Sequence, residues 1–416
     1  MYRACRLRNP AEPPDRVARD IVLGIDFGTS YSTAGTLIGD RVELVVDNGE
    51  TTIPSVVYLP ERGVPEVGTR AVMKTITDPL ATVGSVKRLL GVAASDDVAI
   101  RRLEASLPFR FRSGPNDNLV VQVGGTEWAP EQIAAMVLSR LRDLAEARFG
   151  AKITRAIITA SAAAPARYVE SIKRAARIAH LDVIQIVPEP IAGAVALGLH
   201  EEVAHRRMVV CDFGGGTFDV TAIVQEGLRF TPVATGGDPF LGGDDLDLAM
   251  ASGIAGAIYR RTKHDILHDT VRRQELLFRC ESAKRVLSTS TQARISMKDA
   301  YIENRVRCDL NTIVERRWIE PRWQTLLDQA TACIGRVLDG AGWLPKDVDH
   351  VALIGGTALV PMFRDLAGTL FPDSRIVTSS IANVAVGIGA TLLTGRYTRT
   401  TARIPVLTDT SQLIGG

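Results

Sequence analysis

Histidine and cysteine are scarce in this chain of 416 residues, which carries six of the one and five of the other. The cysteines are Cys5, Cys211, Cys280, Cys308 and Cys333, and no two lie near enough for metal-ligand or redox pairing. That spacing excludes a zinc ribbon or dithiol motif and fits a reducing compartment. An excess of one charge is lacking too, with 49 Lys plus Arg against 47 Asp plus Glu. A simple basic nucleic-acid binder and a polyacidic tail are thereby set aside. No run approaches 18 consecutive apolar residues, so no transmembrane helix is expected. Residues 1–20, MYRACRLRNPAEPPDRVARD, have no apolar core of the signal-peptide kind and read as a leader ahead of a cytoplasmic protein. Three catalytic signatures are also missing: the GxxxxGK[ST] phosphate loop, the HExxH zinc motif and the GxSxG elbow. What remains is a chain that is 46% hydrophobic, which argues against disorder. At about 150 residues per domain its length predicts roughly two to four lobes.

Order begins at Ile21. The apolar run IVLGID ends in Asp26, FGTS makes a turn, and STAGTLI reads as a second strand. The pattern returns 186 residues later as MVVCDFGGGTFDVTAIV, with Asp212 closing the strand and Gly214, Gly215 and Gly216 in the turn. Two copies of strand, Asp-Phe-Gly, turn and strand predict an internally duplicated architecture. Between them, Pro130 opens a helix through Phe149 with Ile133, Val137, Leu141 and Leu144 on one stripe and Gly150 as its stop. KITRAIITA predicts a buried strand, residues 166–179 a helix, DVIQIV a strand, and IAGAVALGL a helix after Glu189 between two prolines. This alternation is that of a layered α/β domain. Residues 247–344 predict a mixed helical lobe with a short strand pair around QARISM and RVRCDL. VALIGG is a strand ending at Gly355 and Gly356, followed by helices near 361–370 and 383–393 and a tail over 396–416. The domain reading is a first lobe over 21–200 and a second over 201–395.

Glycine turns placed directly after core strands expose successive N–H groups that can cradle phosphate oxygens. Carboxylates beside such a cradle repel the ligand unless a divalent cation intervenes. Asp26 and Asp212 therefore suit Mg2+ bridging polyphosphate oxygens, directly or through water. Lys87 suits neutralisation of a phosphoryl group, and Glu189 or Asp219 suits orientation of a water. Taken singly, each Asp is as readily a turn-capping carboxylate and each Gly a turn former. Glu281, Lys284, Arg285 and Ser288 fall three, four and seven positions apart, so they share one helix face. That spacing fits both a ligand-facing surface and a solvated one.

These segments together resemble the nucleotide-binding domain of the 70-kDa heat-shock chaperone family, within the actin, sugar kinase and chaperone ATPase superfamily. GIDFGTSYS resembles its first phosphate motif and CDFGGGTFDV its second. IVPEPIAGAVALGL resembles the segment joining the halves, VALIGGTALVP the adenosine motif, and FRCESAKRVLSTSTQ the helix over the adenine. TVGSVKRLLG, WAPEQIAAMVLSRLRDLAEARFG and FLGGDDLD are further matches, and the likeness spans roughly Ile21 to Gly395. The resemblance implies a duplicated α/β fold of the actin-like, ribonuclease H-like kind, with two lobes of two subdomains each around a central nucleotide cleft. It implies ATP or ADP with Mg2+ as ligands, with Asp26 and Asp212 holding the metal and its waters. Gly28, Thr29 and Ser30 would grip the phosphates from one side, and Gly214, Gly215, Gly216 and Thr217 from the other, with Gly242 and Gly243 alongside. Lys87 would sit by the γ-phosphate and the attacking water, with Glu189 and Asp219 positioning metal and water. Lys87, Glu189, Asp212, Thr217 and Asp219 make up the implied catalytic set. Glu281, Lys284, Arg285 and Ser288 would hold the adenosine, with Gly355 and Gly356 near its base and ribose.

The sequence departs from the family pattern in several places. The usual TVPAYF is here Thr159-Ala160-Ser161-Ala162-Ala163-Ala164, so a proline assigned to nucleotide switching is Ser161. Proline fixes φ and serine does not. An arginine that stacks on adenine corresponds to Leu359, and an aspartate of the adenosine side to Asn383. After Gly395 about 20 residues follow, too few for the family's linker and peptide-binding domain. The expectation is thus a slow Mg-dependent ATPase module yielding ADP and phosphate. A nucleotide-dependent regulatory or cochaperone-like module with little turnover is one alternative. A small-molecule kinase or an actin-like filament protein on the same fold is another. Protein partners (a client, a J-domain-like or an exchange-factor-like protein) are implied, with no nucleic acid and no membrane, and with the chain a monomer or weak oligomer. The arginine-rich stretch over 260–285 suits an acidic partner or plain solvation.

Overall fold

The computed structural model describes residues 21–199, 205–398 and 406–407; the leader reading of 1–20 and most of the tail reading of 396–416 lie outside them. The first glycine-turn motif folds as strand β1 (Val22–Asp26) hairpinned to β2 (Tyr31–Ile38), which continues into β3 (Arg41–Leu44). On the other side of β1 lie β4 (Arg155–Ala160) and then β5 (Asp182–Pro188), both parallel to it. The sheet order is β5-β4-β1-β2-β3. The second motif builds the same pattern: β6 (His205–Phe213), β7 (Phe218–Glu226) and β8 (Arg229–Asp238) run antiparallel in sequence. Strands β11 (His350–Ile354) and β12 (Arg375–Val377) then add in parallel beyond β6. Equal order and equal sense in both sheets make the duplication read from the sequence a duplication of fold.

Central strands such as β1 and β11 are apolar over 22–25 and 351–354 because both faces of their sheets are covered. In the first lobe the cover is α1 (Pro130–Phe149) and α2 (Ala166–Ile178). Helix α1 starts on Pro130 and ends on Gly150 at φ 64°, with Ile133, Val137 and Leu141 buried. The opposite faces of both sheets meet α3 (Glu189–Ala196) and α8 (Ala385–Leu393), the latter following α7 (Pro361–Leu370) in the chain. These two helices are rich in Gly and Ala for a steric reason. A Cβ on Gly389 would collide with the Ala192 carbonyl, and one on Gly193 with Ile354. The apolar cluster joining Val22, Ile157, Ile191, Val210, Ile354 and Ala385 is the core between the lobes. Helix α8 is preceded by a separate short turn over Ala382–Val384, so the expected helix over 383–393 is split.

The mixed lobe is inserted between β8 and β11. It holds α4 (Gly243–Thr262), α5 (Thr270–Leu287), the hairpin β9 (Gln292–Glu303) with β10 (Val306–Glu315), and α6 (Arg316–Ala341). The hairpin is longer than the short pair expected, because Asn304 and Arg305 both take positive φ in a two-residue turn that lets pairing run to its tip. Trp323 is buried in this lobe, with its indole N–H donating to the Leu246 carbonyl at 3.0 Å. Within the stretch read as a tail, Val406–Leu407 forms a strand, β13, parallel to Arg229 and Phe230 at the edge of the second sheet.

Candidate functional site

The two glycine turns face each other across the gap between the lobes. The Gly214–Gly216 turn is closed by its own Gly214 N–H to Thr217 carbonyl bond at 2.9 Å. It is fastened from outside by Gly243 N–H to the Gly214 carbonyl (3.1 Å), Asp244 N–H to the Gly215 carbonyl (2.7 Å) and the Thr357 hydroxyl to the Gly214 carbonyl (2.8 Å). A Cβ on Gly215 would strike the Ser30 hydroxyl, so the turns nearly touch and neither admits a larger residue there. Gly355, at φ 85° and packed on the Phe213 carbonyl, closes the same wall. Arg88 of the first lobe donates to the Gly216 carbonyl at 2.6 Å. Its guanidinium and that of Arg102 stand 5.3 and 5.2 Å from the Phe240 ring centre, so two first-lobe cations grip a second-lobe ring.

Between the turns lies a cavity of about 560 Å3, within the size range of small-molecule sites. Of the residues singled out in the sequence, Asp26, Gly28, Thr29, Ser30, Lys87, Glu189, Asp212, Gly214, Gly215 and Thr217 line one part. Glu281, Lys284, Arg285, Ser288, Gly355, Gly356, Leu359 and Asn383 line the other. Gly216, Asp219, Gly242 and Gly243 are not on the wall. Gly216 is covered by Arg88, Gly242 and Gly243 begin α4 behind the glycine turn, and Asp219 accepts a hydrogen bond from Ser161 at 2.6 Å. Tyr31, Thr52, Asp244, Thr357 and Ser380 also line the cavity, although sequence reasoning does not single them out. Tyr31 directly follows the Gly28-Thr29-Ser30 turn and Thr357 directly follows Gly356, so adjacency to a glycine turn is the available signal.

One end of the cavity concentrates charge. Asp26 ends β1, Asp212 stands opposite Asp219 across the β6–β7 pair, and Glu189 begins α3. Lys87 reaches in from a short turn over Val86–Leu89 that starts on Ser85 at φ 53°, and donates to Glu189 at 2.7 Å. Burial, with Glu189 nearby, raises Asp26 to about 7, against the opposing pull of Lys87 and of the Thr159 hydroxyl at 3.2 Å. Burial and the neighbouring carboxylates push Asp212 well above the ordinary range. The same causes raise Asp219 to about 6, opposed by its bond from Ser161. Burial is the largest single influence and works against the charge of Lys87, but Glu189, Tyr168 and Asp26 together outweigh it and hold the ammonium protonated. One cation among four carboxylates leaves this end short of positive charge. That donor set fits Mg2+, which commonly takes one or two carboxylates together with phosphate and water rather than a full protein cage. No group of three or more His, Cys, Asp or Glu side chains that could hold a metal ion by itself is present among the described residues.

The other end is arranged differently. The four α5-side residues do share a face on the cavity, yet their charges are largely matched within the protein. Lys284 is buried and donates to Asp247 at 2.6 Å and to the Gly243 carbonyl at 2.7 Å. Arg285 donates to Glu281 at 2.7 Å and lies over the Tyr31 ring at 4.9 Å, while the Tyr31 hydroxyl donates to Glu281 at 2.9 Å. Tyr31 belongs to the first lobe and Glu281 to the second, so this triad spans the cleft. Leu359 ends the short turn over Gly356–Leu359, and Asn383 sits in the neighbouring turn tied by Gly355 N–H to the Ala382 carbonyl at 2.9 Å.

Comparison with known proteins shows the family. The family described as Hsp70 protein matches residues 22–413. A heat shock protein of Pyricularia oryzae is 33% identical over 384 residues, covering 90% of this chain and 61% of that protein. The chain therefore spans about three fifths of the length of this relative. No helix among the described residues is long and apolar enough to cross a membrane.

Proposed function

The chain belongs to the Hsp70 family, with that family's nucleotide-binding domain spanning most of it, and from this premise we propose that it binds ATP with Mg2+ between its lobes and hydrolyses it slowly to ADP and phosphate. The observation that carries the reading is the convergence of two facing glycine turns, Lys87 and the carboxylates of Asp26, Glu189 and Asp212 at one end of a single cavity, with Asp219 paired to Asp212 behind the wall. In this reading Gly28, Thr29 and Ser30 offer N–H and hydroxyl donors to the phosphates from one lobe, and Gly214, Gly215 and Thr217 from the other. Asp26 and Asp212 hold Mg2+, which when bound supplies charge neutralisation along the polyphosphate. Lys87 lays its ammonium against the γ-phosphate, and Glu189 and Asp219 accept from the water that attacks it. The new bond is from water oxygen to the γ-phosphorus, and the bond to the β-bridging oxygen breaks. Glu281, Lys284, Arg285, Ser288, Gly355, Gly356, Leu359 and Asn383 surround the nucleoside. Opening and closing of the lobes, with Arg88 and Arg102 on Phe240 as one closing contact, would signal nucleotide state to protein partners.

A second reading, a regulatory module with little turnover, draws on Ser161. Serine stands where the family pattern has proline, and it occupies Asp219 through a 2.6 Å bond. Titration calorimetry with ATP and ADP, with and without Mg2+, tests the binding common to both readings. Saturable binding strengthened by Mg2+ is expected, and no binding of either nucleotide would overturn both.

A further inference from the structure

Tyr168 is the third residue of α2, beside the first-lobe sheet and outside the set of residues assigned above. It is 9% exposed, and its hydroxyl is buried without a hydrogen-bond partner. Its backbone is pinned. The Tyr168 N–H donates to the Pro165 carbonyl at 2.9 Å, and a Cβ on Gly91 would lie 2.5 Å from the Tyr168 nitrogen. Gly91 takes φ 70° and follows the turn that carries Lys87, so the start of α2 and the Lys87 turn are wedged together. The charged groups whose fields reach the phenol are Lys87, Glu189, Asp219 and Asp26, the same group that crowds the end of the cavity. The loop ahead of it, Ser161 to Ala164, offers only small side chains, so the aromatic ring at this point comes from the helix.

A buried phenol ordinarily finds a partner. Leaving one unpaired is costly, and phenylalanine would fill the space without that cost. The hydroxyl is therefore better explained by a partner it acquires in another state. In this structure Lys87 is committed to Glu189 at 2.7 Å. A γ-phosphate would draw the ammonium away and leave the Glu189 carboxylate short of a donor. Resting on the ATPase reading above, we propose that Tyr168 is a positioning residue for hydrolysis: its hydroxyl donates to Glu189 when the phosphate takes Lys87, and keeps that carboxylate in place for the attacking water.

The test is Tyr168→Phe in the full chain, read as phosphate release under saturating Mg·ATP, ATP affinity by calorimetry, and thermal melting. Expected are a fall in kcat of about tenfold, the order of one hydrogen bond to a charged group, an ATP Kd within about twofold of the parent, and a Tm equal or higher. Unchanged kcat overturns the inference while leaving the ATPase reading intact. A fall in kcat accompanied by weaker binding and a lower Tm assigns Tyr168 to packing and also overturns it. Tyr168→Leu, which removes the ring, supplies the reference for what lost packing does to Tm. If the parent chain itself releases no phosphate, the ATPase reading fails and takes the inference with it.

Discussion

The two ends of the cavity are built from the same kinds of residue and balanced in opposite ways. At the end lined by α5, Lys284 is paired with Asp247, and Arg285 and Tyr31 with Glu281, so the side chains have partners before any ligand arrives. At the other end Asp26, Asp212, Asp219 and Glu189 share a single ammonium, and three of the four have their pKa pushed up by burial and by one another. The difference teaches where ligand energy goes. In the proposed reading a cation and polyphosphate would relieve repulsion at the carboxylate end, whereas a nucleoside at the other end would exchange one set of satisfied contacts for another. The first end would then set turnover and metal dependence, and the second would adjust affinity.

Breaking the carboxylate end has the largest expected effect. Asp212→Asn should lower phosphate release by about a hundredfold or more, the scale seen when a preorganised electrostatic group is lost. Assays at rising Mg2+ should fail to restore the rate. The next effect is on stability and carries a pH signature. Asp26 titrates near 3.8 unfolded and at about 7 folded, so the folded chain holds the extra proton between those values. Its contribution to stability is full below about pH 4, declines as pH rises towards 7, and is flat above. Asp26→Asn removes that decline, so its Tm advantage over the parent chain should be greater at pH 8 than at pH 5 in melts without nucleotide. An equal difference at both pH values would contradict the crowding of carboxylates at this end. Asp219 and Asp247, raised to about 6 and about 7, lead to residual slope in the variant. The smallest effect belongs to the other end: Leu359→Arg should tighten ATP about two- to tenfold by stacking on the base, with kcat little changed. Calorimetry and steady-state rates measure the two separately.

Most of the fold is legible in the sequence because its signals are local. The repeat of strand, Asp-Phe-Gly and turn at Asp26 and Asp212 announces the duplication, and Pro130 and Gly150 mark α1 to the residue. The hairpin β9–β10 exceeds its expected length because that length depends on positive φ at both Asn304 and Arg305, which asparagine readily takes but arginine does not advertise. At the site, residues on glycine turns are legible, since glycines clustered directly after a core strand mark a tight turn with exposed N–H groups. The contacts that cross the cleft are not: Tyr31 with Glu281, Arg88 with Gly216, and both Arg88 and Arg102 on Phe240 join residues far apart in sequence. Helical spacing puts Lys284 on the correct face, but its burial against Asp247 follows from how α4 packs on α5, which spacing alone does not reveal. The arginine-rich stretch is partly matched within α5, where Arg272 and Arg279 both reach Glu275.

The most direct test of the central claim is phosphate release from Mg·ATP by the purified chain beside Lys87→Ala and Thr217→Ala. Slow, Mg-dependent release is expected from the parent chain, reduced by about a hundredfold in Lys87→Ala and by less in Thr217→Ala, while all three still bind ATP. ATP binding with no phosphate release from any of the three would contradict the claim and leave the regulatory reading in its place.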